Sequence, residues 1–120
     1  MKRIILGLAL LGYFGAAYGA DWVKIGSGGG EAAWAMRAQG AGEIWEKLEY
    51  SSPHEVGTLE YNKEVSLDEI NCSAGSDTTL QDTFYLNGAV TSAGPGNGQT
   101  IYGEPGTFEA AMINAACGTK

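Results

Sequence analysis

Few residues of this chain have the types and spacing to do chemistry. His54 is the single histidine among 120 residues, and it sits in Ser51-Ser52-Pro53-His54-Glu55. A trio built from Ser52, His54 and Glu55 fails on geometry, because sequence neighbours on one turn cannot converge as a catalytic triad must. The polar stretch predicts a solvated loop histidine instead. Carboxylates are more plentiful. Asp68-Glu69, or Asp77 with Asp82, could flank a sugar or hold calcium, but the chain has no Asp-x-Asp-x-Asp-Gly spacing. These acids read as solvated strand edges and turns. Gly28-Gly29-Gly30 lacks the Lys-Ser or Lys-Thr of a phosphate loop and opens no apolar helix, so flexibility is its reading. No catalytic residue, metal or cofactor is expected from these patterns.

Cys72 and Cys117 remain, and the N-terminus sets their compartment. Met1-Lys2-Arg3 is a short basic end that leads into the apolar run Ile4 to Leu11, followed by small residues at Ala17-Tyr18-Gly19. That layout predicts a secretory signal peptide over residues 1–19, cut after Gly19 or after Ala20. The apolar run is interrupted by glycine and falls short of the ~20 residues a bilayer core demands, so no membrane span is expected after cleavage. The product is expected in the periplasm, at the cell surface or secreted. Two cysteines in an oxidising compartment normally pair. A metal pair would lack a histidine at ligand spacing, and a redox pair would lack Cys-x-x-Cys.

Behind these residues stands a small scaffold. Residues 20–120 are long enough for one domain and too short for two. Loss of Lys2 and Arg3 leaves five Lys and Arg against 14 Asp and Glu, a net charge of −9. Lys24, Arg37, Lys47, Lys63 and Lys120 are scattered along the sequence, which argues against nucleic acid as a partner. The acidity serves solubility, or encounter with a basic partner.

Glycine clusters divide the chain into short segments rich in β-branched and aromatic residues. Strands are predicted at Trp22 to Ile25, Ala33 to Arg37 and Glu43 to Tyr50. In the last, Ile44, Leu48 and Tyr50 share one face, and Trp45, Lys47 and Glu49 the other. Further strands are predicted over Thr58 to Tyr61, running on through Val65 to Cys72, with an apolar parity slip between Leu67 and Ile70 that suggests a bulge. After a polar turn at Ser73 to Asp77, Thr79 to Leu86 alternates, Asn87-Gly88 signals a hairpin, and Ala89 to Thr91 returns. A last short strand covers Thr100 to Tyr102. Thr107 to Cys117 reads as a helix, with Thr107 as N-cap, Glu109 in the first turn and Gly118 as its stop. Phe108, Ala111, Met112 and Ala115 form its apolar stripe. The predicted class is α+β: an antiparallel sheet of about five or six strands with one C-terminal helix packed on it. Trp34, Trp45 and Tyr50 are the candidate interaction residues, since exposed aromatics dominate interface hot spots.

The order of these features resembles the bacterial surface-adhesin protein E family. The residues that carry the resemblance are Trp22 to Gly26, Arg37, Ile44-Trp45, Tyr50-Ser51, Pro53, Cys72, Phe84-Tyr85, Asn87 to Val90, Tyr102, Pro105 to Thr107 and Cys117. The resemblance implies an antiparallel sheet whose C-terminal helix is disulfide-linked to it. It also implies a tendency to form homodimers and binding of host matrix or serum proteins. The expected function is therefore an exported, non-catalytic protein-binding module. The alternative is a periplasmic inhibitor or accessory protein whose acidic surface binds a basic enzyme such as lysozyme.

Overall fold

Glycine turns and period-two alternation produce a chain of antiparallel hairpins. The computed structural model describes residues 22–118, and the expected signal segment 1–19 and its cleavage sites lie outside the described residues. The strands are β1 (Val23–Gly28), β2 (Glu31–Arg37), β3 (Glu43–Val56), β4 (Leu59–Asn71), β5 (Ser76–Leu86), β6 (Ala89–Pro95) and β7 (Thr100–Tyr102). One helix, α1 (Phe108–Cys117), follows them. β1 to β6 pair in chain order as one antiparallel meander, and β7 pairs with the start of β5 beyond the end of β6. The predicted class, the sheet and its helix hold, with six strands in the meander and β7 as a seventh.

The Asn87-Gly88 turn carries φ of 52° and 89°. Positive φ at both central residues matches the right-handed twist of the strands it joins, which is why this dipeptide makes the tight hairpin. Asn62 fastens it from β4: the Asn62 Nδ2 donates to Asn87 Oδ1 and the Asn87 amide donates to Asn62 Oδ1, both at 3.0 Å. Gly29-Gly30, read from sequence as a flexible stretch, forms the equivalent turn between β1 and β2, with φ of 62° and 81°. The expected register break is present, but its extra residue lies on the partner strand and β4 keeps its own alternation. Leu67 faces Gln81 and Asp68 faces Thr79, so Leu80 is the extra residue of a bulge on β5.

Two loop expectations are corrected. Ser51 to Glu55 is not a loop but part of β3, whose register with β4 breaks between Glu49 and His54, around Pro53. Proline has no amide to give the ladder, so the strand continues with an irregularity there. Ser76 and Asp77, expected in a turn, open β5 and are buried.

α1 is capped as predicted. The Ala110 amide donates to Thr107 Oγ1 at 3.1 Å, and Gly118 closes the end with φ 70°. Its seat is built from Ala35, Ile44 and Ile70 of the sheet against Met112 and Ile113. Ile113 was not in the expected stripe. It lies four residues before Cys117, hence on the same helix face, and Cys117 is bonded to Cys72 with the Cα atoms 5.8 Å apart. That bond turns the Ile113 face toward the sheet. Close approach needs small residues beneath. A Cβ at Gly26 would lie 2.9 Å from the Phe108 ring, and one at Gly103 would lie 3.0 Å from Ala110 and Ile113.

The Cys72–Cys117 bond joins residues 45 apart, a loop whose closure the chain-entropy model values at about 4 kcal/mol. The double variant Cys72→Ser/Cys117→Ser is expected to lose about that much stability in urea unfolding, a large share of a small domain's total. A loss below about 1 kcal/mol would show that packing alone seats α1.

Candidate functional site

Each central strand sends alternate residues to opposite faces, and the two faces differ in chemistry. On the face away from α1, cross-strand pairing aligns Lys24, Trp34, Lys47, Val65 and Thr83 in one row. Flanking rows hold Met36, Trp45, Leu67 and Gln81 on one side, and Ala32, Glu49, Lys63 and Tyr85 on the other. Among the described residues no second layer covers this face. The lysines, far apart in sequence, lie over rings. Lys47 Nζ is 4.6 Å from the Trp22 ring centroid and 5.1 Å from that of Trp34, Lys24 Nζ is 5.5 Å from Trp34, and Lys63 Nζ is 4.6 Å from Tyr85. The Trp34 indole N–H donates to Glu49 Oε1 at 3.1 Å. Lys47 has its pKa lowered by partial burial, with Glu49 pulling upward and Lys63 downward.

Of the three predicted interaction residues, Trp34 and Trp45 stand on this open face, as diagonal neighbours of β2 and β3. Tyr50 does not join them. It shares the parity of Ile44 and Leu48 and points to the helix side, beyond the helix itself. There its ring lies 4.0 Å from His54 and 5.8 Å from Tyr61, which in turn meets Phe84 edge-on at 4.8 Å. His54, expected in a solvated loop, is thus an exposed strand residue stacked on tyrosines. Burial, then Glu64 and Glu31, push the Tyr50 hydroxyl upward.

The helix side holds what residue-by-residue reading missed. Asp68 and Asp77, expected to be solvated, are 1% and 3% exposed. Glu46 of β3 joins them: carboxylate oxygens of Glu46, Asp68 and Asp77 lie within 4.8 Å of one another. Asp82 and Glu64 continue the cluster along β5 and β4, and Glu109 enters it from the first turn of α1. Burial raises Glu46 to about 9, reinforced by Asp68 and Glu109, and raises Glu64 to about 8, reinforced by Asp82. Asp77 is driven up by burial and by its contacts with Glu109 and Asp68. Asp82 also rises through burial, although the Glu64 contact and the Thr83 amide oppose the shift. A signal existed. Asp68 shares the parity of Ile70, and Glu46 that of Ile44 and Leu48, so the strands that bury those apolar residues must bury these acids too.

The fold is thus a single-layer antiparallel sheet with a stapled C-terminal helix on one face and an aromatic, lysine-bearing surface on the other. The chain belongs to the surface-adhesin protein E family, whose profile matches residues 22–118. Neither the curated proteins nor the solved structures contain a match to it. Family membership implies an exported protein, and among the described residues no helix is long and apolar enough to cross a membrane.

The carboxyl cluster makes stability depend on pH in a set direction. Glu46 and Glu64 bind protons more tightly folded than unfolded, where carboxyls titrate near about 4.3. Their contribution is fully present below that value and is lost as pH rises through about 8 and 9. In chelator-containing buffer the unfolding free energy from urea titrations is expected to fall steadily as pH rises from that value to about 8 and 9, by up to ~1.4 kcal/mol per pH unit for each extra proton held, and the midpoint with it. Glu46→Gln should flatten the slope. A midpoint that rises with pH in both proteins would contradict the assignment.

Proposed function

We propose that the protein is an exported, non-catalytic binding module that recognises an extracellular matrix or serum protein through the open face of its sheet. The observation that carries this reading is the row of Trp34, Lys47 and Lys24 with Trp22, Trp45 and Tyr85 around it, on a face no other element among the described residues covers. Aromatic rings offer large contact area at small entropic cost, and lysines placed over them favour an acidic partner. The alternative, an inhibitor whose acidic surface meets a basic enzyme such as lysozyme, draws less support. Glu46, Asp68 and Asp77 turn inward, while the lysines line the open face. Family membership also favours adhesion over catalysis.

A homodimer is assigned to the β6 edge. Every residue from Ala89 to Pro95 is exposed, with Val90 at 58%, and α1 packs toward the other end of the sheet, where Phe108 lies over Gly26. Unpaired edges are templates for strand pairing, and a lysine on the edge blocks it. Val90→Lys is expected to convert the dimer to monomer in sedimentation equilibrium, and a wild-type chain that is monomeric at high concentration would remove the assignment.

Surface plasmon resonance on immobilised laminin and vitronectin tests the binding face. Trp34→Ala and Lys24→Glu are each expected to weaken binding by about tenfold or more, as truncation at an interface centre does. Tyr50→Ala, on the other face, should leave affinity unchanged. Equal loss for all three, or no binding by the wild type, would refute the reading.

A further inference from the structure

Glu46, Asp68 and Asp77 come from three adjacent strands, yet their carboxylate oxygens converge within 4.8 Å. Asp68 and Asp77 are almost wholly buried, and each keeps its Oδ1 buried with no hydrogen-bond partner. Asp82 Oδ1 and Glu109 Oε2 are in the same state. An ionised carboxylate has acceptors and no donor, so these contacts close only around something positive. We propose that Glu46, Asp68 and Asp77 hold one divalent cation, calcium, between the sheet and the first turn of α1.

The donor set selects the ion class. All three ligands are carboxylate oxygens, which favour hard cations over the soft metals that choose thiolate or imidazole. The three oxygens lie within 4.8 Å of one another, and small side-chain movements bring them to the ~2.3–2.6 Å at which calcium binds oxygen. Magnesium demands a near-ideal octahedron at about 2.0–2.1 Å and keeps several waters, which suits poorly a site in which Asp68 and Asp77 are this deeply buried. Calcium accepts irregular sets of six to eight oxygens. Glu109 and Asp82 stand beside the three ligands to complete one: Glu109 contacts Asp77, and Asp82 contacts Glu64 and feels Asp68. A groove of about 410 Å³, lined by Glu64, Thr79 and Asp82 among others, runs along β5 beside the cluster.

Protons shared between facing carboxyls are the rival occupant, and the experiment separates the two. The exported full chain is stripped with EDTA and titrated near neutral pH with calcium chloride, with magnesium chloride, and with sodium chloride at matched ionic strength. Binding is followed by calorimetry and thermal unfolding. Expected is one calcium per chain, half-saturating at about 10⁻⁴–10⁻³ M as in extracellular calcium modules, with the unfolding temperature several degrees above the sodium control. Magnesium should be at least about tenfold weaker. Asp77→Asn should lower calcium affinity by at least about tenfold, and Glu104→Gln, an exposed acid, should not change it. If Asp77→Asn does not fold, Glu46→Gln replaces it, and the comparison of calcium with sodium on the wild type stands alone. Calcium no more effective than sodium, or calcium binding untouched by both variants, overturns the site and leaves shared protons as the occupant.

Discussion

A disulfide between Cys72, one residue past the end of β4, and Cys117, the last residue of α1, fastens a ten-residue helix to the sheet. Three turns of helix are marginal in water, and α1 fully buries only Met112 and Ile113. The sheet answers with Ala35, Ile44 and Ile70. Apolar contact on that scale is small for a domain, so the covalent bond carries part of what a larger core would do elsewhere. It also sets orientation. With Cys117 fixed, Ile113 one turn back faces the sheet, and Gly103 and Gly26 must lack side chains to receive Ile113 and Ala110 and the first-turn Phe108 respectively.

Alternation along each strand then sorts the charges. Glu46 and Lys47 are neighbours in sequence, as are Lys63 and Glu64, yet each pair splits across the sheet. The glutamates go to the helix side and the lysines to the open side. The formal acidity of the chain is therefore a poor guide to what a partner meets. Lysines over aromatic rings at 4.6–5.5 Å define the open face, while a good part of the negative charge is turned toward α1.

Much of this was legible. The helix and its caps followed from Thr107, Glu109 and Gly118, the hairpin from Asn87-Gly88, and the register break, though not the strand that carries its extra residue, from the parity slip after Leu67. The faces of β3 followed from counting in twos. What failed did so for physical reasons. Pro53 and the polar residues around it read as a loop, but a strand at the margin of a sheet tolerates one residue without an amide. Tyr50 was grouped with Trp34 and Trp45 by residue type although its parity already separated it. Asp68 and Asp77 were taken as solvated, and Glu46 was not singled out, because charged residues are almost never fully buried unless paired. Their burial depends on three strands and a helix meeting, which no single segment of sequence displays.

The two ends of α1 are held by different means. Cys117 anchors the C-terminal end through a bond that is indifferent to pH. The N-terminal turn rests on Phe108 over Gly26 and on Glu109 against Asp77, a contact between two acids that exists only while something neutralises them. Whatever occupies the carboxyl cluster thus acts on the first turn of the helix and leaves the last in place. That first turn is also the part that meets β1, the strand that bears Gly26 under the helix and Lys24 over Trp34 on the open face. β1 therefore touches both faces: Gly26 seats the first turn of the helix whose Glu109 meets Asp77, and Lys24 covers the half-buried Trp34 on the open side.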